Sequence, residues 1–186
     1  SWEMDEPEKI AAAEGAKQAG NARFKEGAFA AAVKKYSRAL NFVEYDSGFG
    51  AEAKAQAAEL KKACNLNLAA ARLRTRDWKG AVTAADKVLE KDGLNAKALY
   101  RRAQARLALQ DFVEAERDAR VALAEDPSAA DLRLLLARIK KEAAAYDKKE
   151  AKTFSNLFGR MAAMEAAEER KKKTATKGEE KGEEKK

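Results

Sequence analysis

Histidine is absent from the 186-residue chain; cysteine occurs once and proline twice. Without His, no Ser-His or Cys-His nucleophile and no imidazole metal ligand can be assembled. The single Cys64 cannot close an internal disulfide, and its mostly apolar helical setting reads as a small core thiol in a reducing compartment. Aromatic residues make up only 7% of the chain and Val, Ile and Thr are sparse, which argues against a sheet-built domain. No apolar run approaches the 18 or so residues that a membrane-spanning helix needs, and the acidic start Ser1-Trp2-Glu3-Met4-Asp5-Glu6 is no signal peptide. Because the first residue is not Met, the chain reads as cut from something longer.

What fills the chain is alanine, 44 residues of it, with 38 Lys plus Arg and 31 Asp plus Glu. These are strong helix formers, so the expected class is all-α, in one domain large enough to bury a core. The formal net charge of +7 raises the question of nucleic acid. The two signs are interspersed as on solvated helix faces, and no aromatics alternate with the basic residues to stack bases. No nucleic-acid partner is expected; an acidic peptide or protein is the better use of the excess charge. Scattered Asp and Glu, with no phosphate loop and no metal-ligand cluster, supply no catalytic constellation, so no catalytic residue, metal or cofactor is assigned.

The chain repeats itself. Aligning Phe29, Trp78 and Phe112 also aligns Ala32 with Ala81 and Ala115, and Leu40 with Leu89 and Leu123. The same register stacks the small residues Gly20, Ala69 and Ala103. The second and third copies are 34 residues apart, the first and second 49, so 15 extra residues lie between the first two. Small residues where helices cross let backbones approach, and the aromatic fills the gap beside them. Helix stops agree: Gly27 and Gly80 sit at turn or first-turn positions, and Asp92-Gly93 and Asp126-Pro127-Ser128 break the pattern. The expected helices cover about 7–26, 29–45, 51–75, 78–91, 95–109, 112–125 and 128–170. Within the extra segment, Asp46-Ser47-Gly48-Phe49-Gly50 is a turn cluster, and Ala51 onward is strongly helix-forming, so most of the added length should lengthen the flanking helices.

This pattern resembles the tetratricopeptide (TPR) repeat, a 34-residue helix-turn-helix unit. The matching residues are Gly20-Asn21, Phe24, Gly27, Phe29, Ala32, Tyr36 and Ala39-Leu40, then Trp78, Ala81 and Leu89, then Tyr100, Phe112, Ala115, Ala122-Leu123 and Asp126-Pro127. The resemblance implies three repeats (13–46, 62–95, 96–129) in a right-handed superhelical stack, with a lead-in at 1–12 and an insertion at about 47–61. A long C-terminal helix over 130–172 would cap the stack through Leu132, Leu135, Leu136, Ile139, Ala143 and Tyr146. A disordered charged tail is expected over 173–186.

In such a stack the first helix of each repeat lines the concave groove. Lys17 and Asn21 are i, i+4 neighbours on the first of these helices, Asn67 sits between Leu66 and Leu68 on the second, and Lys97 and Arg101 are i, i+4 neighbours on the third. Two ammonium groups, one guanidinium and two amides offered to one groove suit a ligand with several carboxylate oxygens. Taken singly, each Lys or Arg is as well explained as a solvated surface residue; Asn67, a mediocre helix former amid Leu and Ala, is harder to dismiss. The five positions look like the two-carboxylate clamp of TPR co-chaperones, with Lys-x3-Asn, Asn and Lys-x3-Arg all present. The resemblance implies that Lys17, Asn21, Asn67 and Lys97 hold the two carboxylates of the last Asp in the C-terminal EEVD peptide of Hsp90, or of Hsp70. Arg101 would then contact the peptide further upstream, and Phe24 would line the groove.

The wider chain is similar to the TPR domain of large FK506-binding immunophilins, plant members especially. The residues are Glu8-Lys9-Ile10, Gly20-Asn21-x-x-Phe24-Lys25, Glu44-Tyr45-Asp46, Asn67-Leu68-Ala69, Leu99-Tyr100-Arg101-Arg102, Tyr146-Asp147-Lys148-Lys149 and Asn156-Leu157-Phe158-Gly159-Arg160-Met161. The resemblance implies a non-enzymatic docking module whose parent carries FKBP-type peptidyl-prolyl cis-trans isomerase domains, in the cytoplasm and also in the nucleus. Adaptors and phosphatases with the same clamp match the insertion and last helix less well. A scaffold groove that takes internal helices, not chain ends, is the competing reading. The same family implies calmodulin binding at 150–173, where Phe154, Leu157, Phe158 and Met161 would be the anchors among basic residues. The bland alternative for that stretch is an extended capping helix.

Overall fold

The computed structural model describes residues 4–183, with side chains through Lys171. Among these residues it holds seven α-helices: α1 (Glu6–Lys25), α2 (Phe29–Val43), α3 (Ala51–Arg74), α4 (Trp78–Leu89), α5 (Ala96–Ala108), α6 (Phe112–Glu125) and α7 (Ala130–Glu183). The second helix of each hairpin begins at the aligned aromatic, Phe29, Trp78 or Phe112. Each hairpin turns through one left-handed residue two positions earlier: Gly27 (φ 77°), Arg76 (φ 61°) and Gln110 (φ 64°). These positions obey the same 49- and 34-residue offsets as the aromatics. At the other end, α1 starts on a reciprocal cap in which the Glu8 amide donates to Asp5 Oδ1 (2.9 Å) and the Asp5 amide to Glu8 Oε2 (3.1 Å).

The chain divides into two units, residues 1–140 and 141–186. In the first, α1 packs on α2, α3 on α4 and α5 on α6, while α1 also meets α3 and α3 meets α5. That adjacency lays the first helices of the three hairpins side by side. The repeat's small residues are the crossing points: Ala32, Ala81, Ala115, Ala69 and Ala103 are fully buried. Cys64 is buried on α3, and burial pushes its thiol up to about 11. Leu132, Leu135, Leu136 and Ile139 of α7 cover the apolar faces of α5 and α6. Complete burial of a residue such as Ile139 is worth roughly 1.5–3 kcal/mol.

The inserted segment follows the expected division. A short turn over 44–50 closes on Phe49, and the remaining residues extend α3 to 24 residues. Lys61 pins the turn, its Nζ 2.8 Å from Asp46 and 3.4 Å from the Glu44 carbonyl.

The second unit is helical. Here the structure departs from the tail expected over 173–186, because α7 runs on to Glu183, with 184–186 outside the described residues. A shortage of apolar side chains rules out a core but not a helix, since Lys, Glu and Ala all favour helical backbone. Ala143 and Tyr146 belong to this unit, where the Tyr146 hydroxyl donates to Glu150 Oε1 (3.0 Å).

Candidate functional site

The polar groups of α1 and α3 meet directly. Asn67 Nδ2 donates to Asn21 Oδ1 at 3.0 Å, across 46 residues of sequence. A second donor reaches the same oxygen from behind: the hydroxyl of Tyr36 on α2, at 2.8 Å. With its oxygen doubly engaged, Asn21 still has the donors of its NH2 group to offer. Burial raises the Tyr36 phenol above its ordinary pKa, against a smaller opposing effect of Arg101, so the hydroxyl keeps its proton at neutral pH.

The cations expected beside this amide pair sit on α1 and α5 and differ in what they are bonded to. Lys17, one turn before Asn21, is 2.8 Å from Glu14 Oε2. Arg101 is half-buried and donates through Nη1 to the Leu66 carbonyl at 2.6 Å, which seats the guanidinium beside Asn67. Burial draws its pKa below the usual guanidinium value, leaving a charged group with limited solvation. Lys97 is exposed one turn before Arg101 on α5. Phe24 lines a cleft of about 410 Å³ with Leu73, Trp78, Tyr100, Arg101 and Gln104, and stacks edge-on with Phe29 at 5.1 Å.

Arg102, the neighbour of Arg101, points its chemistry elsewhere. Its Nε and Nη2 donate to the two oxygens of Asp118 (2.8 and 2.7 Å) and its Nη1 to Asp86 (2.6 Å). Arg106 adds a 2.7 Å bond to Asp118, which is buried at 3% exposure. This network fastens α5 to α4 and α6, so Arg102 is structural, whereas Arg101 bonds the Leu66 carbonyl and lines the cleft with Phe24.

A larger cleft, about 840 Å³, lies between α2, α3, α4 and the 44–50 turn. Two ion pairs cross it, Lys61–Asp46 and Lys62–Asp92, both 2.8 Å, among further residues of both signs. Three parts of the candidate site escape a reading of sequence: Tyr36 behind Asn21, Glu14 against Lys17, and the Leu66 carbonyl under Arg101. Only Glu14 carried a local signal, its i, i+3 spacing to Lys17.

Among the described residues no cluster of His, Cys, Asp or Glu is placed to hold a metal, and no helix is long and apolar enough to cross a membrane. No family model matches the chain. It is 34% identical over 174 residues to peptidyl-prolyl cis-trans isomerase FKBP4 of Rattus norvegicus, a match covering 94% of this chain and 37% of that protein. The C-terminal TPR-containing domain of a Plasmodium falciparum FK506-binding protein superposes with a TM-score of 0.75 at 27% identity, over 79% of this chain and 98% of that domain. This chain is a TPR domain homologous to the FK506-binding immunophilins. It spans little more than a third of the length of the curated relative, and what it comprises is the TPR portion. The second TPR domain of human RPAP3, solved in complex with the HSP70 peptide SGPTIEEVD, matches the TPR domain at 25% identity and TM-score 0.56, over 73% of this chain and 98% of that one.

Proposed function

We propose that this TPR domain is an Hsp90 co-chaperone module that holds the C-terminal EEVD peptide of Hsp90, and in the same manner that of Hsp70, by a two-carboxylate clamp. The observation that supports the reading is the Asn21–Asn67 bond, which joins two amide donors from separate hairpins, with Lys17 one turn before Asn21 and Arg101 bonded to the carbonyl of Leu66, the neighbour of Asn67. A main-chain carboxylate beside a side-chain carboxylate occurs only at a chain end in Asp, and Lys17, Asn21, Asn67 and Lys97 suit those two groups. The RPAP3 domain, solved with an EEVD-ending peptide, supports the class of ligand. The parent protein would be an FKBP-type peptidyl-prolyl cis-trans isomerase, in the cytoplasm and also the nucleus, tethered to the chaperone through this domain.

Charge-assisted bonds of this type contribute about 1.5–3 kcal/mol each, and truncating one buried partner costs about 2–5 kcal/mol. Calorimetric titration with an EEVD-ending peptide is expected to show binding by the native chain. Lys97→Ala and Arg101→Ala should lose measurable binding with helicity retained. Unchanged affinity in both variants would refute the clamp.

A second reading, favoured by a separate observation, concerns α7. Phe154, Leu157, Phe158, Met161 and Met164 are all about half exposed or more, a row of large apolar side chains on a helix with Lys148, Lys149, Lys152 and Arg160. This supports calmodulin binding at 150–173. A peptide of that span should shift with calmodulin on a native gel in calcium and not in chelator; no shift in calcium would exclude it.

A further inference from the structure

The three hairpins differ at one pair of positions in a way that packing alone does not call for. Where the second and third hairpins set Ala69 against Ala85 and Ala103 against Ala119 in register, the first has Gly20 and Tyr36. All four alanines are fully buried, and Tyr36 is only 1% exposed. A Cβ on Gly20 would fall 2.6 Å from Tyr36 Cε1 and 2.7 Å from Cδ1. The ring therefore occupies the space that glycine vacates. This exchange leads the phenol hydroxyl to Asn21 Oδ1, 2.8 Å away.

We propose that Tyr36 is a positioning residue for the peptide groove: its hydroxyl holds the Asn21 carboxamide with the oxygen inward, so that the NH2 group is presented to the incoming chain end. The inference rests on the clamp reading above. An Asn side chain is symmetrical in shape but opposite in polarity at its two branches; flipped, it would offer a carbonyl oxygen to a carboxylate and repel it. Asn67 alone restrains the flip weakly, because its own amide can turn in concert. The phenol oxygen could accept from a flipped amide, but its own buried O–H proton would then lose its acceptor, Asn21 Oδ1, so the flip costs a hydrogen bond. The hydroxyls of Ser or Thr at this position would be too short to span from α2, and the alanines of the other hairpins reach nothing. Gly20 is the second half of the device, since any side chain there displaces the ring.

Tyr36→Phe keeps the ring and removes the donor. The expected result is circular dichroism and melting close to native, with affinity for a free-acid EEVD peptide lowered about three- to tenfold, the size of one hydrogen bond. Affinity for the C-terminally amidated peptide, already weak, should change little, so the ratio between the two peptides narrows. In the ligand-free chain, the two Asn21 side-chain amide proton resonances should broaden or shift as the carboxamide gains the freedom to flip. A purely structural role for Tyr36 predicts equal loss for both peptides and an unchanged Asn21 amide pair. That result, or full retention of discrimination by Tyr36→Phe, would overturn the role given to Tyr36 while leaving the clamp in place. A native chain that binds free and amidated peptides alike would overturn the clamp reading itself.

Discussion

Gly20 has no room for a side chain, and the consequence is measurable at the residue scale. Gly20→Ala must displace a buried tyrosine ring, which costs about 1–3 kcal/mol as overpacking, and should weaken peptide binding by moving the Tyr36 hydroxyl away from Asn21. Thermal melts of the variant would check the first and calorimetry the second. Glu14 acts in the opposite sense. Its carboxylate holds the Lys17 ammonium at 2.8 Å, and the hydrogen bond from Lys17 draws its pKa below the ordinary carboxylate range. Any ligand carboxylate must compete with it, so Glu14→Gln should tighten binding of the EEVD peptide by about two- to fivefold, the scale of a partly exposed ion pair. The candidate site was readable from sequence as far as its i, i+4 pairs, because those follow from helix geometry alone. The Tyr36–Asn21 and Arg101–Leu66 bonds cross 15 and 35 residues and depend on how two helices are spaced, which no local pattern encodes.

At the scale of elements, the three hairpin turns share a left-handed residue but not its chemistry. Gly27 adopts this backbone freely, whereas Gln110 and Arg76 carry a Cβ in a region that L-residues avoid. Gln110 is exposed, so Gln110→Gly should stabilise the domain by about 0.5–1 kcal/mol, seen as a higher denaturant midpoint with unchanged slope. Helix positions were legible because the aromatic that opens each second helix recurs beside small residues at fixed offsets. The inserted segment was legible in outline, since Ala51 onward favours helix and the Gly-rich stretch before it does not. The far end of α7 was not: an apolar-poor, Lys- and Glu-rich stretch suits a tail or a solvated helix equally, and composition does not choose between them.

For the first unit as a whole, the hairpins are joined by different means. The α1–α3 seam carries the Asn21–Asn67 bond, while the α4–α5–α6 seam is fastened by Arg102 and Arg106 around Asp118. Asp118→Ala would remove the carboxylate that Arg102 and Arg106 share, leaving them only Asp86 and Glu114, and the expected loss is about 3 kcal/mol, measured by denaturant titration. The same substitution touches no groove donor, so peptide affinity of the folded fraction should be unchanged. Under the proposed clamp, stability and recognition fall to neighbouring arginines, Arg102 and Arg101, which point about 100° apart around α5. The most direct test of the account is a crystal structure of this chain with a free-acid peptide ending in Glu-Glu-Val-Asp. The account predicts the terminal carboxylates within hydrogen-bond distance of Asn21 Nδ2 and Asn67 Nδ2, flanked by Lys17 and Lys97. A peptide seated in the α2–α3–α4 cleft, or lying in the groove with its chain end away from both asparagines, would contradict it.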